Sequence, residues 1–215
     1  MNKAFEVKSS FKQSVSFSAP EKQGGASLIL VMIILTIVSM IGIAGVQISM
    51  MSERGARNDR DYQLAWQSAE AGLMDAENDL FGPGASSRRS VFSPTTNKSA
   101  FVDGCGTSGN SKGLCALAFT GKPAWITADF DLSDSKSVAA VYGDFTERTF
   151  AAGEAGIQPA RKPRYVIEAI PDKAGAGSAS RNLGLDDPKY VFRVTSMGFG
   201  PRADIQAVVQ MIYRN

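Results

Sequence analysis

Cys105 and Cys115 are the only thiols in the 215-residue chain, and they enclose GTSGNSKGL, nine residues of which three are glycine. A loop of that composition is flexible enough to bring the two sulfurs together. In an oxidising compartment the pair would close a disulfide worth about 2 to 3 kcal/mol in the chain-entropy picture, and in a reducing one it stays as two thiols. Metal binding through these cysteines needs further ligands, and the chain has no histidine. The same absence removes Ser-His-Asp and Cys-His chemistry, and neither a G-x-x-x-x-G-K-[ST] phosphate loop nor a G-x-S-x-G elbow occurs. Asp129, Asp131 and Asp134 in DFDLSDS put three carboxylates at short spacing, the beginning of a calcium loop. The glycine at loop position six and the glutamate at twelve are missing, so the segment reads as a solvated loop. RRS (88–90) and RKPR (161–164) are short basic patches in a chain of formal net charge +2, which reads as solvent-facing charge and predicts no nucleic-acid contact. Catalytic residues, a metal and a cofactor are therefore not expected, and the chain reads as a non-enzyme.

The element that dominates the sequence is apolar. Residues 26–51, ASLILVMIILTIVSMIGIAGVQISMM, contain no Asp, Glu, Lys or Arg. As a helix this run reaches about 39 Å at about 1.5 Å per residue, enough to cross a hydrocarbon core of about 30 Å. A secretory signal peptide would have an apolar region of about 7 to 15 residues, so the run reads as a transmembrane helix. The flanks do not orient it. Lys8, Lys12 and Lys22 before the run balance Arg54, Arg57 and Arg60 after it.

Helical periodicity continues beyond the span. Tyr62, Trp66, Ala69, Leu73, Ala76 and Leu80 recur at steps of three and four and predict one buried face, while Gln63, Gln67, Glu70, Asp75, Glu77 and Asp79 are assigned to water. FGPGASS (81–87) ends the helix, because Gly and Pro continue one poorly. Residues 26–80 then form a single helix of about 80 Å.

Residues 82–122 are rich in Gly, Ser and Asn and predict long loops. RYVIEAI (164–170), KYVFRVTS (189–196) and ADIQAVVQMIYR (203–214) predict strands. In the last, Ile205, Ala207, Val209, Met211 and Tyr213 alternate with Asp204, Gln206, Val208, Gln210 and Ile212, the pattern of a half-buried antiparallel strand. AWITADF (124–130) and SVAAVYGDF (137–145) are weaker strand candidates that would make a further pair. A sheet and a helix with one apolar face each bury those faces together, which predicts an α+β fold with a long N-terminal helix packed on a C-terminal antiparallel sheet.

A short basic leader ending in glycine, followed by an apolar helix with Leu28 in third place, resembles the prepilin class of type IV pilins and pseudopilins. The resemblance implies cleavage by a prepilin peptidase between Gly25 and Ala26, with N-methylation of Ala26. Removal of residues 1–25 takes away four lysines and two glutamates and brings the formal charge from +2 to zero. Beyond the span, SERGARNDRDYQLAWQSAEAGLMDAENDL resembles the N-terminal signature of PilX-type minor pilins, carried by Glu53, Asn58, Arg60, Asp61, Ala65, Gln67, Ala69, Glu70 and Ala71. PRYVIEAI and YVFRVTSMGFGPRADIQAVVQMIYR are similar to that family's closing strands. The chain is thus divided into a cytoplasmic leader (1–25), a transmembrane helix (26–51), its amphipathic continuation (52–81) and a loop-rich and β-sheet domain (82–215).

The resemblance implies a pilin-like fold and a minor component of the type IV pilus that helps to start or cap the fibre, with a role in adhesion as a further expectation. It would be anchored in the bacterial inner membrane with its globular part in the periplasm, and later carried to the cell surface. The partners implied are the major pilin, other minor pilins, the prepilin peptidase, the inner-membrane assembly platform and a large tip adhesin. One departure is informative. The class usually carries Glu at mature position five, where it pairs with a neighbour's N-terminal ammonium; here that position is Leu30, and the next carboxylate, Glu53, lies about 35 Å along the helix. An ammonium buried without a partner costs several kcal/mol, so a chain with no carboxylate to offer suits the leading position. The alternative is that Leu30 simply packs in lipid. Two other readings are a tip pseudopilin of a type II secretion system and a membrane-tethered enzyme or receptor domain.

Overall fold

The computed structural model describes residues 26–84, 86–93, 96–130, 137–153, 157–172 and 189–214. The leader, Gly25, Asp131 and Asp134 lie outside them. The elements are a long helix α1 (Ala26–Phe81), two one-turn helices α2 (Arg89–Phe92) and α3 (Ala124–Thr127), and five strands: β1 (Leu114–Cys115), β2 (Ala140–Val141), β3 (Arg164–Pro171), β4 (Tyr190–Phe199) and β5 (Gln206–Arg214). The chain divides into two compact units after Ser52.

In the first unit the large apolar side chains from Leu28 to Met51 are all exposed, between 51 and 71%. The hydroxyls of Thr36 and Ser39 donate to the carbonyls of Met32 and Leu35 one turn back, at 2.8 and 2.7 Å. These two hydroxyls are thereby satisfied within the helix, which is what a hydrocarbon environment demands. The helix is long and apolar enough to cross a membrane.

In the second unit α1 from about Asp61 onward lies on a sheet of order β1-β3-β4-β5, with β2 also paired to β3. β3, β4 and β5 are antiparallel, in a register that sets Ile167 opposite Val194 and Ser196 opposite Val209. The helix-facing core joins Ala69, Leu73, Ala76 and Leu80 of α1 to Tyr165, Ile167, Phe192, Val194 and Val209 of the sheet. On the other face Val166 packs with Cys105, Cys115, Ala124, Phe130 and Ala139, and Met197 lies against them. Loop residues between 105 and 130, together with Val138 and Ala139, therefore cap the far side of β3 and β4.

Close approach of helix and sheet depends on small residues. A Cβ at Gly198 would collide with the backbone of Ala65 and Ala69, and one at Gly72 with the Ser196 hydroxyl. Glycine at both places lets β4 press against the helix backbone.

Several expectations change. Tyr62 and Trp66 are exposed, 49 and 43%, whereas Asp75 and Asp79 are completely buried. The buried stripe runs through Ala65, Ser68, Ala69, Gly72, Leu73, Asp75, Ala76, Asp79 and Leu80. It is set by small residues that admit the sheet and by carboxylates that find internal donors, so side-chain hydrophobicity alone misplaced its centre. AWITADF forms the one-turn helix α3, not a strand. Within SVAAVYGDF only Ala140 and Val141 are extended, and they pair with Arg164 and Tyr165 of β3, so the two segments form no strand pair with each other. The sheet is also not wholly antiparallel, since β1, inside the stretch read as loop, runs parallel to β3. In β5, Ala207 and Val209 are buried as expected, but Met211 is 48% exposed.

Candidate functional site

The residues singled out in the sequence fall on three separate places. Ala26 opens α1, and Leu30 stands on its apolar stretch, exposed. Both are at the end of the chain where the class resemblance puts its assembly chemistry.

The second place is the outward face of α1 between residues 53 and 70. Glu53 and Arg57 form an i,i+4 ion pair at 2.6 Å, and Arg60 reaches the Asp61 carboxylate at 3.0 Å. The Trp66 indole donates to Glu70 at 2.8 Å, one turn on. Asn58, Gln67 and Glu70 are exposed and Asp61 is half-buried. Exposed pairs of this kind contribute about 0.3 to 0.5 kcal/mol each to a helix. Their larger effect is to leave an outward surface of matched charges with the Tyr62 and Trp66 rings standing among them. The charged and amide-bearing signature residues thus lie on the outward side in the single chain, while Ala65 and Ala69 of the same signature are buried against the sheet.

The third place is the clamp that holds α1 to the loops. Asp79 accepts from the Arg88 side chain and backbone N–H and from the Tyr165 hydroxyl. Arg88 also donates to the carbonyls of Asn110 and Lys112 and lies 3.6 Å over the Phe145 ring. One turn earlier, Asp75 accepts from the Gly143 N–H at 2.8 Å and from the Thr146 hydroxyl, with Arg148 at 3.9 Å. Burial raises the Asp75 carboxyl above its ordinary value, against the lowering effect of those donors and of Arg148. Burial likewise holds the Tyr165 phenol well above its usual range, and pushes that of Tyr213 up to about 12 with a contribution from Glu77. Sequence reading missed this clamp. Its signal was the i,i+4 spacing of Asp75 and Asp79 beside Leu73, Ala76 and Leu80, which puts two carboxylates at the border of the apolar face.

Cys105 and Cys115 are joined in a disulfide that braces the loop on the far face of the sheet. Nearby, Lys98, Phe101, Asp103, Leu117, Phe119 and Tyr190 line an open cleft of about 420 Å³. Among the described residues no group of three or more His, Cys, Asp or Glu is placed to hold a metal ion.

A long apolar-to-amphipathic N-terminal helix laid on a C-terminal, mostly antiparallel sheet defines a pilin-like α+β protein. The sequence matches the family model "PilX N-terminal" over residues 23–73 and the model "Type IV pilus assembly protein PilX C-term" over residues 111–215. The chain belongs to the PilX family, and is thereby a minor pilin of the type IV pilus, membrane-anchored and pilus-associated. No curated protein and no solved structure gives a significant match to it. The first match contains Gly25, Ala26, Leu30 and the whole charged signature; the second contains Cys115 and all five strands.

Proposed function

We propose that the chain is processed between Gly25 and Ala26, holds its globular part in the periplasm, and takes the leading position in a growing type IV pilus, where it starts assembly. It acts as a structural subunit and not as an enzyme. Its partners in that role are the prepilin peptidase, the assembly platform, the major pilin, other minor pilins and a large tip adhesin, with adhesion following from its place at the tip. The observation that carries the reading is Leu30, an apolar side chain on an apolar helix where the class offers a carboxylate. Such a chain can present its own Ala26 ammonium to a following subunit but cannot neutralise the ammonium of one ahead. A tip pseudopilin of a type II secretion system shares that logic, but the family matches favour the pilus.

The test is Leu30→Glu in the full chain. The substitution should admit the subunit to the fibre shaft, raising its copies per pilus in sheared fibres and lowering the number of pili per cell. Mass spectrometry of the wild-type chain in those fibres should find Ala26 at the N-terminus, methylated, and Gly25→Glu should leave the chain uncut and out of the fibre. An N-terminus at Met1 in assembled fibres contradicts the processing step. Unchanged copy number and pilus count with Glu at residue 30 contradict the leading position.

A further inference from the structure

Strand β1 ends at Cys115, paired with Glu168, while β3 runs on to Pro171. Past that point Ala116 and Leu117 on one side and Ala169 and Pro171 on the other line the open cleft of about 420 Å³. Small-molecule sites commonly occupy about 300 to 1,000 Å³. The walls of the cleft are held in place. Residues 101–103 and 115–117 are tied together by the Cys105–Cys115 disulfide and by the bridge between Val102 and Cys115, and Phe101 stacks at 6.5 Å on Phe192 of the core. Phe119 is the opposite case, a ring left 86% exposed. It also lines a second cleft of about 380 Å³, which shares Asp103 and Leu117 with the first and adds Thr120, Lys122 and Thr127. The first cleft carries one charge of each sign. The Lys98 ammonium lies 5.6 Å over the Tyr190 ring, and the Asp103 carboxylate has no ion-pair partner among the described residues.

We propose that the two clefts bind a neutral glycan, with a sugar ring stacked on Phe119 and its hydroxyls taking the place of water on Asp103, Lys98 and Lys122. The C–H face of a pyranose is apolar and weakly positive, the complement of the negative face of an aromatic ring. Its edge carries hydroxyls that both donate and accept, whereas an ionised Asp only accepts and a Lys only donates, so a hydroxyl-rich ligand satisfies each of them. Other occupants fit less well. A cation finds the Tyr190 face already taken by Lys98 and meets its like charge. A nucleic-acid strand brings phosphate to Asp103, which lines both clefts. An apolar side chain of another protein strips water from Lys98 and Asp103 and returns no hydrogen bond. For its use on the cell the inference rests on the adhesion proposed above, and it supplies that adhesion with a ligand class.

The experiment takes the full-length chain in micelles of lauryldimethylamine oxide, a detergent without sugar, and measures saturation-transfer NMR to the methyl glycosides of glucose, galactose and N-acetylglucosamine, to tetramethylammonium and to an oligothymidylate. Saturation should pass to the ring C–H protons of at least one glycoside. Phe119→Ala should lower that transfer about tenfold, and Asp103→Asn should lower it several-fold. Both variants should keep the wild-type melting temperature, because both side chains are already in water. Ile157→Ala, which trims an exposed apolar side chain outside both clefts, should leave the transfer unchanged. Absence of transfer to every glycoside overturns the inference, and is the result expected of clefts filled by the chain itself or by another subunit. Transfer that survives Phe119→Ala overturns it too, as does transfer confined to tetramethylammonium or to the oligothymidylate. Entry of the chain into pili is read separately in sheared fibres, so failure of the assembly role and failure of glycan binding are told apart.

Discussion

Asp79 and Arg88, nine residues apart, form an ion pair whose side chains are 0 and 1% exposed, closed over by the Tyr165 hydroxyl and the Phe145 ring. The pair ties the last turn of α1 to the segment that follows it. Two charges taken out of water add little net stability as a pair, but removal of one partner strands the other. Arg88→Met should therefore cost about 3 to 5 kcal/mol. Adding Asp79→Leu to it should recover a good part of that loss. Denaturant melts of the wild type, both single variants and the double variant measure it, and strictly additive losses would refute the pairing.

Asp75 makes a prediction about pH. Its carboxyl sits above the ordinary value of 3.8 chiefly because it is buried. Between that value and the raised one the folded protein holds a proton that the unfolded chain has lost, so the contribution of this group falls as pH rises. It is fully present below the ordinary value and gone once pH passes the raised one. Asp75→Asn has nothing to titrate there. The melting temperature of the wild type minus that of the variant should fall from about pH 3 upward and level off on the neutral side. A pH-independent difference would contradict the assignment.

The two faces of α1 should respond very differently. Leu73 is buried against the sheet and Gln67 is in water. Leu73→Asp should cost about 3 kcal/mol or more, while Gln67→Asp should stay within about 0.5 kcal/mol. Gly198→Ala should cost about 1 to 3 kcal/mol, since its methyl meets the helix backbone. Equal losses at residues 67 and 73 would mean that the helix is seated by another face.

The disulfide gives a chemical test. Cys105 and Cys115 should resist alkylation in the native protein until a reductant is added. Replacing both with Ser should cost about 2 to 3 kcal/mol, read as a lower melting temperature. Ready labelling without reductant would contradict the bond.

How far the sequence carried these results depended on whether a contact was local. The apolar run, the stop at Phe81 and the strands β3 to β5 are written in periodicity and turn residues and appear where that pattern put them, except that β4 runs on to Phe199 and β5 begins only at Gln206. Asp75 and Asp79 were misassigned because an acidic residue at a helix border reads as solvated unless its donors are known. Arg88 is only nine residues from Asp79, but the other donors, Gly143 and Thr146 to Asp75 and Tyr165 to Asp79, lie 68, 71 and 86 residues away. Trp66 was misassigned for the complementary reason. An aromatic residue reads as core, yet glycine and alanine had taken the contact, and the ring was left outside with Glu70. Strand β1 was illegible because two residues carry no alternation at all; pairing with β3 and a bridge to Val102 make them a strand.

The Tyr213 hydroxyl donates to the Leu73 carbonyl at 3.2 Å, across 140 residues of chain. Considered in time, that bond joins one part of the chain to another synthesised 140 residues later. At about 5 to 20 residues per second a ribosome needs roughly 7 to 28 s to cover the interval. Throughout it, α1 has emerged with its seam of Ala65, Ala69 and Gly72 bare, while β4 and β5 do not yet exist. Folding of the sheet domain therefore closes only when β5 is delivered. A stalled or truncated chain that stops short of β5 would keep its apolar N-terminal segment and lack the strand that carries Ala207, Val209 and Tyr213, leaving an anchored helix with an unfinished partner for quality-control proteases to find.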